Sequence, residues 1–204
     1  MENKSSEDLI PEHQSGAESN TEAVETMPSE EEAKHFFEKV KRRLLNVNNW
    51  HEVAGAGTAE FQLTDSDGHE VHRTAQKGDH FKIDIPGPGS ATGDGYDWVQ
   101  IEAVEEVANE SEESLAIQVR PATNPKNDRN DVAHFLSDEA TSSFVVWRQG
   151  TTVTAGVYGR NEKPNTKAEK VADKIRNTAV ATGAISGFAK LQWKQLVNGL
   201  LKKE

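Results

Sequence analysis

A chain of 204 residues suits one domain of ordinary size with a tail, and its net charge of −11 is concentrated: residues 1–32 carry ten acidic side chains against Lys4. The remainder, with 24 acidic and 22 basic residues, is nearly neutral and shows no basic stripe, which excludes nucleic acid as a main partner. The absence of cysteine excludes disulfides and thiolate metal sites, and no uncharged apolar run approaches the ~18 residues of a membrane span.

Residues 1–28 are polar, acidic and almost free of large apolar groups, so they are expected to be disordered. Within them Leu9, Ile10 and Pro11 form a short motif suited to docking on a partner. MENKSSEDLIPEHQ lacks the basic and apolar regions of a secretory signal, so a cytoplasmic protein is expected. A single domain then spans 29–204. Ser29 and Glu32 make a capping box, and Ala33, Phe36, Phe37, Val40, Leu44 and Val47 recur at three and four, which predicts a helix over 30–46.

Strands follow. TAEFQLT (58–64) and HEVHRTA (69–75) flank the turn signal DSDG, and HFKIDI (80–85) follows QKGD. YDWVQIEAVEEVA (96–108) alternates, with Trp98, Gln100, Glu102 and Val104 on one side and Val99, Ile101 and Ala103 on the other. SLAIQVRP (114–121) comes next, then a polar loop, a short helix around VAHFLSDE (132–139), and two strands, TSSFVVWRQ and TTVTAGVYG, joined at Gly150. A closing helix runs from the capping box Thr166–Glu169 to near the end. Gly183 and Gly187 are expected to mark where it lies closest to a neighbour. Short connections between successive strands favour an antiparallel meander, because parallel neighbours need long crossovers.

The fold class read from this order is α+β: about seven strands in an antiparallel meander, packed against a long C-terminal helix and an N-terminal helix. A long helix after an antiparallel sheet resembles, in layout, the helix-grip folds, in which a curved sheet wraps a terminal helix and encloses a cavity. KGDHFKI followed by GYDWVQIEAV resembles the cadence of an SH3-like small barrel.

The glycine-rich stretch IPGPGSATGDGYDW (85–98) is not a phosphate loop. It has no lysine, Pro86 and Pro88 each remove a backbone donor, a strand follows it, and Asp94 and Asp97 repel anions. It reads as a β–β loop, with Tyr96 and Trp98 as candidates for the mouth of a cavity and a core position the stronger expectation for Trp98. DSDGHE begins like a calcium loop but has Gln76 at the twelfth position, so it reads as a hairpin turn. His69 and His72 point to opposite faces of a strand and do not converge on a metal, and no metal or cofactor is expected.

The polar cluster of most interest is YGRNEKPNT (158–166), with Arg120 and His134. Arg160, Asn161 and Glu162 sit between the last strand and the closing helix, where rigid elements hold a loop. The candidate ligand-binding residues are thus Tyr96, Trp98, Arg120, His134, Arg160, Asn161 and Glu162. No nucleophile elbow or Ser-His-Asp pattern is present, so a non-catalytic binding or adaptor domain is preferred. It would hold a partner protein or a small, mostly apolar ligand between sheet and C-terminal helix. A structural subunit of a larger assembly, an enzyme with an acid/base pair near His134 and Glu162, and a homo-oligomer all stay open.

Overall fold

Alternation of apolar and polar side chains builds one sheet in the computed structural model of the protein, which describes residues 7–55, 57–85, 89–109, 112–167 and 185–203. Its strands are β1 (Ala17–Thr26), β2 (Glu60–Thr64), β3 (His80–Asp84), β4 (Asp97–Ala108), β5 (Glu112–Pro121), β6 (Thr141–Gln149) and β7 (Thr152–Glu162). All neighbours are antiparallel, in the order β1-β7-β6-β5-β4-β3-β2. The sheet does not close: β1 and β2 are its edges, which sets aside the small-barrel reading. Helices α1 (Glu30–Leu45), α2 (Trp50–Ala54) and α3 (Ile185–Leu200) pack on its inner face.

Helix α1 starts as its capping box requires. The Ser29 hydroxyl accepts the Glu32 amide at 3.2 Å, and Ala33, Phe36, Phe37, Val40 and Leu44 form the buried stripe. At its other end Arg43 donates to the carbonyls of Leu200 and Lys202 at 2.7 and 2.8 Å, which supplies donors to the end of α3. Trp50 sits at the centre of the core. Its ring lies 5.3 Å from Phe61, 5.7 Å from Phe81 and 4.6 Å from Phe144, and its indole N–H donates to the Leu44 carbonyl at 3.0 Å. Leu196, Val197, Leu200 and Leu201 seal the core from the α3 side.

Several expectations change. Residues 17–26 are not disordered but form β1, paired with β7 from Ala17↔Glu162 to Thr26↔Thr152, so a strand precedes the first helix. The composition argument fails here because an edge strand gains its order from backbone hydrogen bonds to a partner far along the chain. Ahead of β1, Leu9 is 6% exposed and packs on Ala116, Val145 and Tyr158 on the outer face of the sheet. The Leu9-Ile10-Pro11 motif therefore docks on its own domain. Asn161, at φ +56°, receives the amides of Gln14 and Ser15 on its side-chain oxygen at 2.8 and 3.1 Å.

Residues 69–75 are not a strand. After one bridge, Thr64↔Glu70, the backbone turns to other partners: Asn48 donates to the Val71 carbonyl, the Ala75 amide to Leu45, and Arg73 pairs with both Asp79 oxygens at 2.6 and 2.8 Å. Residues 132–139 are not helical: bridges Thr123↔Val132 and Leu136↔Pro164 flank a bend at His134 and Phe135, and a turn follows at Asp138 and Glu139. In β4 a register shift between Ile101 and Ala103 reverses the alternation, so Val99, Ile101 and Val104 all face the core, while Ala103 and Glu105 join Leu9 on the outer face.

The close-approach glycine of α3 is Gly199, where a Cβ would collide with the Val53 carbonyl of α2. Gly187 is exposed, with nothing within 4 Å of a Cβ. Gly183 and the capping partner Glu169 lie outside the described residues.

Candidate functional site: a cavity between sheet and closing helix

Between the inner face of the sheet and the first turns of α3 lies a cavity of about 170 Å³. Phe81, Ile83, Val99, Val119 and Phe144 form its sheet wall, and Ala189, Gln192 and Trp193 line it from α3. Strands supply the apolar wall because every second residue faces inward. Trp193 is fixed by edge contact with Phe144 at 5.3 Å. Gln192 is buried and accepts the Ala59 amide at 3.0 Å, which ties α3 to the start of β2.

Two of the seven residues expected from sequence meet in this wall: His134 and Glu162. They arrive on two neighbouring segments, joined by the bridge Leu136↔Pro164. His134 lies at a bend in the non-helical segment 132–137, which threads between the start of β4 and the residues after β7. The segment is pinned by the Ala133 carbonyl to the Trp98 amide at 2.7 Å, the Phe135 amide to Asp97 at 3.0 Å, and the Asn165 amide to the Phe135 carbonyl at 2.8 Å. The Asn165 side chain adds a bond to the His134 carbonyl at 3.1 Å. The imidazole is 6% exposed, stacks on Phe135 at 4.4 Å, and accepts the Leu136 amide on Nδ1 at 3.0 Å. An Nδ1 that accepts leaves the proton of the neutral ring on Nε2.

Glu162 is the last residue of β7 and faces Ala17 across the β1–β7 pair. The Ser19 hydroxyl donates to its Oε1 at 3.3 Å. Burial raises its carboxyl above the ordinary value, opposed by the Ser19 hydroxyl and by the charge of Arg160. The side chain folds over Gly159, whose missing Cβ makes the seat: a methyl there would land on Glu162 Oε1 and 2.5 Å from Ser19 Oγ. Sequence reasoning missed Gly159. The available signal was a glycine inside an alternating strand, which marks a close approach.

The other five expected residues lie elsewhere. Arg120 is on β5 beside cavity-lining Val119, so its side chain takes the opposite face, bonded to Glu102 at 2.7 Å and to the Asp138 carbonyl at 2.8 Å. Arg160 stitches β7 to β1 through the Ser19 carbonyl, Asn20 Oδ1 at 2.7 Å and the Gly159 carbonyl at 2.8 Å. Asn161 holds the N-terminal segment as described. Trp98 is buried, its indole N–H donating to the Gly93 carbonyl at 3.1 Å, and Tyr96 carries the Lys82 ammonium 4.6 Å above its ring. These five were expected at a ligand site because polar and aromatic residues gather there. The strand register places them instead on the outer face or in turns.

Among the described residues, one group has metal-ligand atoms within 4.8 Å of one another: Asp65, Asp67 and His69, at the exposed turn after β2. One Asp65 oxygen already accepts the amides of Asp67 and His69, and its other oxygen lies 3.3 Å from His69 Nδ1. That is the bonding of a turn. No described helix is long and apolar enough to cross a membrane.

No protein-family model matches the chain, and no curated protein matches its sequence. Several solved structures are similar to this chain. The hypothetical protein jhp0584 from Helicobacter pylori has a TM-score of 0.50 and 14% identity over 89% of this chain and 86% of that one. Protein Ms6760 from Mycobacterium smegmatis has a TM-score of 0.38 and 14% identity, covering 89% and 88% of the two chains. The major latex-like protein 151 from Panax ginseng has a TM-score of 0.36 and 11% identity, covering 87% and 99%. The first of these, with the open seven-strand sheet and its helices, makes the fold α+β and helix-grip-like.

Proposed function

We propose that the protein is a binding domain that holds one small, mostly apolar ligand in the cavity between the sheet and α3. The observation that carries the reading is the cavity itself: an apolar wall from four strands and α3, with His134 and Glu162 brought to it from two separate segments. Apolar walls with a few convergent polar groups are the usual form of small-molecule sites. An apolar cavity of roughly 150 Å³ takes benzene, so about 170 Å³ fits one aromatic ring or a similar aliphatic body. Trp193 in the wall reports occupancy. Titration with 2-phenylethanol should change its fluorescence saturably, and Trp193→Phe should remove that change. A titration that shows no saturable change and no heat of binding rejects the reading.

A second reading has a specific observation in its favour. His134 and Glu162 share one cavity, so a ligand between them meets an Nε2–H donor and a carboxylate, the two parts an acid/base pair needs. Among the described residues, docking of a partner protein and self-association have no comparable feature.

A further inference from the structure

We infer that the ligand of this cavity is a small amine, an apolar body of about one ring carrying a single ammonium that pairs with Glu162. This rests on the binding reading above and names the chemical class. The Glu162 carboxylate lies in the wall of a mostly apolar cavity whose other polar side chains are His134, Ser142 and Gln192, none of them a carboxylate. Among the described residues no lysine, arginine or histidine lies within ion-pair distance of it. Its one hydrogen bond, from the Ser19 hydroxyl, is long at 3.3 Å. Arg160 is the nearest cation on its own strand, but that guanidinium is bonded to the Ser19 and Gly159 carbonyls and to Asn20.

A half-buried carboxylate beside Phe, Val and Ile, with no cation in direct contact, loses solvation that a charged partner returns. The fold nonetheless builds a seat for it. Gly159 leaves the space that the carboxylate occupies, and Ser19 across the strand pair orients it. An ammonium entering with an apolar body supplies the missing charge and donates the hydrogen bonds the carboxylate lacks. A carboxylate ligand would meet like charge in the same place, and an alcohol would supply a hydrogen bond without the charge. The cavity is thus a site for lipophilic cations rather than for apolar molecules in general.

Three probes of one shape test this on the full chain at about pH 7, where amine and acid are both ionised: 2-phenylethylamine, 2-phenylethanol and phenylacetate, each followed by calorimetry. The expected order is amine, then alcohol, then acid, with the amine bound about tenfold more tightly than the alcohol. Glu162→Gln should bring amine and alcohol together while leaving the alcohol's affinity within about twofold. Gly159→Ala, which fills the seat but keeps the charge, should lower amine affinity and serves if the first variant does not fold. Alcohol bound as tightly as amine by the native chain overturns the inference and leaves the binding reading standing. An amine preference that survives both substitutions also overturns it. If none of the three probes binds, both fall.

Discussion

Two glycines in one helix should respond to alanine with opposite signs. Gly187 is exposed and a methyl there meets nothing within 4 Å. Gly187→Ala should therefore gain up to about 1 kcal/mol from helix propensity and lower unfolded-state entropy. Gly199 faces α2. Its Cβ would collide with the Val53 carbonyl oxygen, lie 2.6 Å from the carbonyl carbon and 3.0 Å from Cγ1. Carbon atoms pack at roughly 3.5–4.0 Å, so α3 must retreat by about 1 Å. That retreat loosens Leu196 and Leu200, which are 1% and 2% exposed against the core. Overpacking of this kind costs about 1–3 kcal/mol, and the propensity gain offsets at most about 1 of it. With the full offset, the net expectation for Gly199→Ala is a loss of up to about 2 kcal/mol, or a fall of up to roughly 1 M in the urea midpoint at an m-value of about 2 kcal/mol/M. Equilibrium urea unfolding followed by tryptophan fluorescence measures both variants. A Gly199→Ala protein as stable as Gly187→Ala would refute the claim that α2 and α3 meet backbone to backbone at this residue.

Two pH effects of opposite sign follow from the half-buried Glu162 and the buried His80. Burial raises the Glu162 carboxyl above 4.5, so its stabilisation is present at low pH and is lost as pH rises from the unfolded value through the folded one. Glu162→Gln should gain stability over the native chain above that window and match it below, read from urea midpoints across pH. Burial lowers the His80 imidazole below 6.5, so stability there falls as pH drops from 6.5 through the folded value. His80→Gln should flatten that acid limb in the same series, and an unchanged slope would count against burial as the cause. Leu9→Ala should free the segment ahead of β1. Cleavage at Glu12 by a glutamate-specific protease should then accelerate by at least about tenfold, the equivalent of about 1.4 kcal/mol of lost docking, with little change in the midpoint of global unfolding.

Much of the sheet was readable because its signals are local. Gly150, at φ +56°, joins two alternating runs whose bounds match β6 and nearly match β7. Ser29 and the stripe from Ala33 to Leu44 mark α1. What escaped depends on distant partners. AESNTEAVET looks like tail because its acidic side chains stay in solvent, and only pairing with β7 orders it. VAHFL has an apolar content that suits a helix, yet Asp97 and Asn165 take up its backbone groups and keep it out of one. The site was half visible for the same reason. His134 and Glu162 could be named as polar residues near a sheet end, but not placed on one cavity. Arg120 and Arg160 looked equivalent to them until the strand register put their side chains to other uses.

The pairing of β1 with β7 also has a cost in time. In chain order β1 is finished long before its partner exists, and the nearby contact from Gln14 to Asn161 spans 147 residues. Until β7 emerges, that segment must wait in water without pairing to itself or to another nascent chain. The glutamates that disguise it as tail, Glu18, Glu22 and Glu25, keep it soluble during the delay. Its low greasiness is thus a provision for synthesis as much as a property of the finished edge.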